Sequence, residues 1–323
     1  MRQMLIPSSL QDKKRLADAG LSFVFMQFDG VDDAVYEKLR RRPMLEVKKR
    51  AIEQCGRYGI GVTLVPVLVP GVNTEQIGDI IRFAIQRSPY VRGVHFQPVS
   101  YFGRIPELPA DDDRYTLDEL LEAVVSQSGG LIKEEQIAPS CCDHPMCGFH
   151  GDFIVMPGDK LMPLTNYSGK TETEPEGEGC CCGPDPAEKN REFVGRRWER
   201  RDLEETCCCG ESSRKRKLLL CGTSQNRSCC CGGTQPEPES CCCGGTQPES
   251  EFCCCEEESV DITNMEDFLK RAKSHGFTIT SMAFQDAGNL DIERLRQCSL
   301  HVYKDGKKIP FCAYYLSPME RGR

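Results

Sequence analysis

Residues 23–30 read FVFMQFDG, a short apolar run that ends in polar and turn-forming residues. Two later runs repeat this pattern, Val62–Val69 before Pro-Gly-Val-Asn and Val94–Val99 before a serine. Helical stretches separate the three runs, and buried strands that alternate with helices predict βαβ units with a parallel sheet. Because ligands bind beyond the carboxyl ends of such strands, the polar tips predict a ligand-binding α/β fold.

Composition argues against several classes of protein. The 323-residue chain has a net charge of −8, so it lacks the basic surface expected of a nucleic-acid-binding protein. It has no run of about 18 apolar residues, which predicts no transmembrane segment, and its first residues do not form a secretory signal. With 22 cysteines and no export signal, we expect a reducing, cytoplasmic location where thiolates serve metal or redox chemistry.

Composition also divides the chain into three parts. We predict a partial barrel over residues 1–165, a low-complexity insertion over residues 166–259 and a small α+β domain over residues 260–323. The insertion is rich in Gly, Pro, Glu, Ser and Cys and contains five Cys-Cys-Cys triplets. Its aliphatic content is too low to offset the entropy of ordering, so we expect it to be disordered.

Helix and turn signals lie at regular places around the strands. The predicted helices cover Asp33–Arg41, Pro43–Tyr58, a stretch capped by Asn73 or Thr74, Thr116–Gln127 and Met265–His275. In the last part, Phe277–Phe284 alternates like a strand, and Ser299–Tyr303 with Lys308–Tyr315 predicts a β-hairpin.

The order of these motifs resembles that of radical SAM enzymes, which use S-adenosylmethionine and an iron–sulfur cluster. The likeness lies in Phe28-Asp29-Gly30, Leu64–Asn73 and Val91–Ser100. Cys142–Cys147, which reads Cys-x-His-Pro-x-Cys, and the tail Ile309–Tyr314 are similar to the tetraether-synthase-like and TrsS-type (seleno)protein branch. The resemblance implies the later strands of a partial (β/α) barrel, with helices on one face of a parallel sheet, plus the small α+β tail.

The chain departs from this family where the catalytic cluster is bound. The family's Cys-x-x-x-Cys-x-x-Cys does not occur before Phe23, and the first cysteine is Cys55. The glycine-rich segment that the family uses on the methionine amine is also absent. We therefore expect the C-terminal portion of an enzyme whose N-terminal portion is missing, from a reading frame that begins downstream of the true start. A selenocysteine codon read as a stop would produce such a frame.

The resemblance implies a reaction and a set of binding residues. A [4Fe-4S] cluster would cleave S-adenosylmethionine, and the resulting radical would take hydrogen from an unactivated C–H bond of a small-molecule or lipid substrate. The implied cofactor-binding residues are Gln27, Asp29, Val67, Asn73 and Gln97; no catalytic residue is assigned. Simpler roles remain open, because Asp29 suits a turn and Asn73 suits a helix cap.

Cysteines in two regions predict a metal site. Cys141, Cys142 and Cys147 lie beside His144, and thiolates with imidazole suit iron–sulfur or zinc ligation. Cys298 and Cys312 flank the predicted hairpin and could complete the ligand set. Free, half-buried thiols are the simpler interpretation.

Two functions therefore stay open. The first is the cofactor- and substrate-binding half of a radical SAM enzyme. The second is a thiol-rich metal-binding or redox protein without radical chemistry, in which the triplets and Cys141–Cys147 are the functional part.

Strand alternation places His95 on the face opposite Phe96, where we expect a packed core histidine.

Overall fold

One mixed β-sheet organises the part of the chain that the computed structural model describes, residues 15–102, 109–140, 143–165 and 264–316. The predicted insertion over residues 166–259 lies outside these residues, as do Cys141 and Cys142. Within the described ranges, no helix is long and apolar enough to cross a bilayer.

Four parallel strands form the centre of the sheet. β1 (Phe23–Gln27) pairs with β2 (Gly61–Val65), β2 pairs with β4 (Val91–Pro98), and β4 pairs with β8 (Gly276–Ser281). The three apolar runs therefore lie side by side and parallel, as predicted. The fold is the predicted α/β class, consistent with a partial barrel.

The second apolar run forms two strands rather than one. Pro66 separates β2 from β3 (Val67–Leu68), which pairs with the carboxyl end of β4. Proline has no backbone N–H to donate to a ladder, so the run is interrupted at that residue.

Antiparallel strands extend the sheet beyond β8. β6 (Phe149–Met156) pairs antiparallel with β8, and both β5 (Ala138–Pro139) and β7 (Lys160–Pro163) pair with β6. β8 comes from the segment that sequence reasoning treated as a separate small domain, yet it lies inside the sheet between β4 and β6. Pairing between segments so distant in sequence leaves no local pattern to detect.

Helices with apolar stripes pack on one face of the parallel strands. They are α1 (Asp33–Arg40), α2 (Leu45–Arg57), α3 (Ile77–Ile85) and α4 (Leu117–Gln127), close to their predicted bounds. Ile80, Ile81 and Ala84 of α3 are fully buried in one core with Val94 and Phe96 of β4. Burial of each large aliphatic side chain stabilises the fold by about 1.5–3 kcal/mol.

The C-terminal part adds α5 (Met265–His275), α6 (Ile292–Arg296), β9 (His301–Lys304), β10 (Lys307–Pro310) and α7 (Phe311–Leu316). The predicted hairpin is confirmed, since β9 and β10 pair antiparallel. Its second strand was predicted to run to Tyr315, but the chain turns into α7 after Pro310. In α7 the rings of Phe311 and Tyr315, four residues apart, meet with centroids 4.6 Å apart, a spacing that brings side chains together on a helix.

Candidate functional site

The ends of β1, β3 and β4 meet at one corner of the sheet, and the five predicted cofactor residues lie there. Gln27 ends β1 and Asp29 follows it, while Val67 of β3 stands opposite Gln97 of β4 in parallel register. Asn73, in the loop after β3, bonds to the backbone of both Asp29 and Val67. The sequence prediction therefore selected residues that the fold brings together. Whether they bind a cofactor stays a prediction.

Asp29 is fully buried at this corner and its carboxylate is engaged within the protein. It accepts hydrogen bonds from Arg40 at 2.8 and 3.2 Å and from the backbone N–H of Val67 at 3.3 Å. The side-chain amide of Gln27 also donates to it. A buried carboxylate needs such partners, because an unpaired buried charge is strongly destabilising. In this structure Asp29 fixes the end of β1 against β3.

Asn73 has a similar bracing role. Its side-chain nitrogen donates to the carbonyls of Asp29 and Val67, both at 2.8 Å, and its oxygen accepts from the N–H of Val69 at 2.8 Å. The side chain is 1% exposed and makes no capping bond to the following helical turn. Asn73 therefore occupies the predicted N-cap position of that turn, but its side chain braces the strand ends instead of capping the helix.

Gln27, Val67 and Gln97 are the part-exposed residues of this corner, and the two glutamines supply its polar side chains. Both carry an amide, which supplies one acceptor and two donors. These are the groups that the hydroxyls and base of a nucleoside require, so this donor set fits the adenosine part of S-adenosylmethionine. Asp29 and Asn73, which are buried, are suited to holding in place the strand ends that carry these glutamines.

A cavity of about 410 Å³ lies beside this corner, towards the start of α4. Pro70, Gly71 and Thr74 form one wall, and residues from Asp111 to Glu119 form the other. Burial, together with the charges of Glu119, Glu75 and Glu122, raises the pKa of Tyr115 in this wall to about 12. Asp111, Asp112 and Glu119 line the cavity against one cation, Arg114, so its lining is electronegative. None of the five predicted cofactor residues lines it.

Three cysteines of the predicted metal site, from distant segments of the sequence, lie near enough to affect one another's charge. Burial raises the pKa of the Cys298 thiol, and the nearby charges of Asp143 and Cys147 add to the shift. Burial likewise raises the pKa of Cys312, with contributions from Cys298 and Cys147. The backbone N–H of Ser299 bonds to the Asp143 carboxylate at 2.8 Å and ties the two segments together.

The thiols of this cluster also receive hydrogen bonds. The Arg294 Nε donates to the Cys147 Sγ at 3.4 Å, and the backbone N–H of Gln285 donates to the Cys312 Sγ at 3.3 Å. Over residues 15–102, 109–140, 143–165 and 264–316, no group of three His, Cys, Asp or Glu side chains is arranged to hold a metal ion. Cys141 and Cys142 lie outside those ranges, so the predicted ligand set stays a prediction.

Sequence reasoning missed Arg294. The Arg294 guanidinium donates a hydrogen bond to the carbonyl of Ala283 at 2.7 Å. The backbone N–H of Ala283 donates to the carbonyl of Cys147 at 2.8 Å. Arg294 lies in α6, which Asp291 caps, and nothing in that short polar helix indicates a thiol partner. The contact depends entirely on tertiary packing.

His95 lies on the face opposite Phe96, as alternation predicts, and although the residue is part-exposed, protein atoms surround its imidazole. Its Nδ1 is 2.8 Å from the hydroxyl of Thr280, its partner on β8. The ring meets that of Phe25 edge-on, with centroids 6.1 Å apart. Burial lowers the pKa of His95 to about 4, so the imidazole is neutral at neutral pH.

A parallel α/β sheet with polar groups at its carboxyl edge belongs to the class of folds that bind cofactors at that edge. Comparison with known proteins narrows the class. Residues 8–84 match the model of the radical SAM superfamily. The chain is also 27% identical to a 7,8-dihydro-6-hydroxymethylpterin dimethyltransferase of Methanocaldococcus jannaschii, over 93% of this chain and 57% of that protein. Together these two findings support a radical SAM protein.

Shorter similarities connect the chain with two GTP 3′,8-cyclases. That of Nautilia profundicola is 29% identical over 26% of each chain. That of Campylobacter curvus is 26% identical over 38% of this chain and 36% of that protein. The chain thus spans little more than half of the methyltransferase and a smaller share of either cyclase.

Proposed function

We propose that this chain forms the S-adenosylmethionine-binding and substrate-binding half of a radical SAM iron–sulfur enzyme. The observation that carries the proposal is the corner where Gln27 at the carboxyl end of β1, Val67 at the start of β3 and Gln97 near the carboxyl end of β4 lie together. The superfamily match over residues 8–84, which includes this corner up to Asn73, supports the same conclusion. Within the family, we propose the tetraether-synthase-like and TrsS-type branch, on the segment Cys142–Cys147 and the tail Ile309–Tyr314.

The protein's own residues would bind and orient the cofactor. The amides of Gln27 and Gln97 would bond the adenosine, while the ion pair of Asp29 with Arg40 and the three bonds of Asn73 keep the strand ends in place. S-adenosylmethionine bound to a reduced [4Fe-4S] cluster supplies radical chemistry that can act on an unactivated C–H bond. The sequence contains no Cys-x-x-x-Cys-x-x-Cys, so the ligands of that cluster would come from polypeptide outside this chain.

A second metal centre on the cysteine cluster is part of the proposal. Cys147, Cys298 and Cys312, with Cys141 or Cys142, would ligate an auxiliary iron–sulfur cluster or another thiophilic metal. Support comes from the convergence of three segments on these thiols and from the two N–H···S hydrogen bonds to Cys147 and Cys312. Hydrogen bonds to thiolate sulfur are among the factors that set the reduction potential of an iron–sulfur cluster.

The substrate we propose is a small molecule rather than a lipid chain. The names of the M. jannaschii relative and of the two cyclases refer to a pterin and to GTP, and both compounds contain a bicyclic, nitrogen-rich ring. The sheet face below the cofactor corner carries hydroxyl and imidazole groups, which suit such a ring better than an alkyl chain.

The direct test is calorimetric titration of the full chain with S-adenosylmethionine. We expect binding that Gln97→Ala weakens at least tenfold and that Gln86→Ala, a matched change at the end of α3, leaves unchanged. Absence of binding, or equal binding by both variants, would contradict the proposed cofactor site.

The alternative is a thiol-rich metal-binding or redox protein without radical chemistry. It draws on the 22 cysteines, most of them in the triplets outside the described residues. Replacing the fifteen triplet cysteines by serine separates the two proposals, because unchanged metal content would reject the alternative. A cytoplasmic location remains part of our proposal, on the grounds that so many thiols suit a reducing compartment.

A further inference from the structure

The sheet has a second face, turned away from α2 and α3, that carries mostly polar side chains. Alternation along the strands and the pairing of neighbours define this surface, which we call the polar face. Its polar residues are Gln27, Thr63, His95, Gln97, Thr278, Thr280, His150 and Asp152, of which Thr63 and Thr278 are buried, and its apolar residues are Phe23, Phe25, Val65 and Ile154. They form in-register rows, since His95 pairs with Thr280 and Thr280 pairs with His150. Continuing the β2–β4 register, the row that contains His95 reaches Val65, whose partner on β1 is Gln27 of the proposed cofactor corner.

His95 is held in one orientation on this face. The contact of its Nδ1 with the Thr280 hydroxyl, at 2.8 Å, engages one ring nitrogen, so Nε2 is the nitrogen that can bond a ligand. The ring of Phe25 beside it is 46% exposed and offers a flat apolar surface. An oriented imidazole next to an exposed aromatic ring is suited to a planar ligand with polar edges.

The chemistry of the polar face selects against two other classes of ligand. An alkyl chain laid on it would offer the Nε2 of His95 no hydrogen bond. An anionic group would meet a neutral imidazole and the carboxylate of Asp152, which lies in the neighbouring row opposite Thr278. The side chain of Arg92 lies beside Gly61, at the amino end of β2.

We propose that the His95–Thr280 pair hydrogen-bonds the substrate, and that the part of the substrate it meets is a neutral, planar nitrogen heterocycle. This inference rests on the proposed function, because the reacting carbon must lie near a cofactor bound at the corner above. His95 contacts the ligand, and Thr280 acts through His95 as a positioning residue.

Fluorescence titration of the full chain with 6-hydroxymethylpterin tests the inference. We expect saturable binding that His95→Phe weakens at least tenfold and Thr280→Val weakens threefold to tenfold. His95→Gln, which keeps a hydrogen-bonding group, should retain most of the affinity. The matched control is His301→Phe on the exposed hairpin, which should bind as the wild type does.

A second measurement on the wild-type protein does not depend on any variant folding. The imidazole ¹⁵N signals of His95 should shift when 6-hydroxymethylpterin is added, and those of His301 should not. No pterin binding, or binding without a His95 shift and with full affinity in His95→Phe, overturns the inference. If the full chain binds the pterin but not S-adenosylmethionine, the proposed cofactor site is refuted and this inference stands.

Discussion

Asn73 stabilises the corner where β1 and β3 end, because its one side chain satisfies three backbone groups. Replacing it by alanine leaves two carbonyls and one N–H without partners in a site that is 1% exposed. Each unsatisfied buried group costs about 1–3 kcal/mol, so we expect Asn73→Ala to lower the free energy of unfolding by roughly 3 kcal/mol or more. Urea denaturation measures this change.

The control for that prediction is Asn264→Ala, which removes the cap of α5. Loss of an exposed N-cap costs about 1 kcal/mol. Equal effects of the two substitutions would contradict the bracing role of Asn73.

His95 makes the stability of the fold depend on pH. Its pKa falls from 6.5 in the unfolded chain to about 4 in the native state. The unfolded state therefore binds the extra proton first, and stability falls as the pH drops from about 6.5 to about 4. The loss contributed by His95 is at most about 3 kcal/mol, since one pKa unit corresponds to 1.36 kcal/mol.

Unfolding free energies of the wild type and His95→Gln, measured between pH 7 and pH 4, test this prediction. The variant should lose less stability over that range. Parallel pH profiles for the two proteins would show that the imidazole is not buried in its neutral form.

At the scale of elements, the pairing of β4 with β8 depends on Gly93. A Cβ at this position would lie 2.3 Å from the backbone oxygen of Thr278. Because that atom belongs to the neighbouring strand, Gly93→Ala must separate the strands. We expect amide hydrogen exchange in β8 to rise by at least tenfold.

Gly158→Ala is the control for this prediction, since a Cβ there meets no atom within 4 Å and only the backbone angle is strained. It should leave exchange in β8 unchanged. Wild-type protection of β8 in Gly93→Ala would contradict the observed register.

A buried ion pair joins the C-terminal part to the loop after β4. Arg114 bonds both oxygens of Asp286 at 2.9 and 3.0 Å, and Tyr101 donates its N–H to the same carboxylate at 3.0 Å. Burial alone would raise the pKa of Asp286, but these bonds outweigh it and lower the pKa. The pair therefore stabilises the fold at neutral pH, and the contribution is lost as the pH falls below the ordinary range of a carboxyl group.

We expect Asp286→Asn to lower the unfolding free energy by about 3 kcal/mol, because it leaves the Arg114 guanidinium, 18% exposed, without its charge partner. Urea denaturation at pH 7 measures this loss. Asp79→Asn, on an exposed i,i+3 pair with Arg82, is the control and should cost less than about 1 kcal/mol. A loss of similar size in both variants would contradict a buried link.

For the whole molecule, local sequence patterns predict the strands and helices, but they do not predict which distant segments pair with each other. The apolar stripe of Ile77, Ile80 and Ile81 is enough to predict α3, and the polar tips are enough to predict the ligand edge. The insertion of β8 between β4 and β6, the contact of Arg294 with Cys147, and the partnership of His95 with Thr280 all join distant segments. Such contacts depend on how distant segments pack together, and they leave no periodic pattern in the sequence.

The proposed metal centre is a property of the whole chain, because its ligands come from distant segments. After anaerobic reconstitution with iron and sulfide, we expect Cys147→Ser, Cys298→Ser and Cys312→Ser each to reduce bound iron by at least half. Cys55→Ser, in the buried face of α2, is the control and should bind as the wild type does. Iron content that is equal in all four variants would contradict the centre.

Amide hydrogen exchange of the full chain, with and without S-adenosylmethionine, tests the central proposal most directly. We predict slower exchange in three segments at the cofactor corner, residues 27–30, 67–73 and 97–100. The far wall of the electronegative cavity, residues 111–119, lies outside these segments and provides the internal comparison. Protection confined to residues 111–119, or no protection at any concentration of S-adenosylmethionine, would contradict the account.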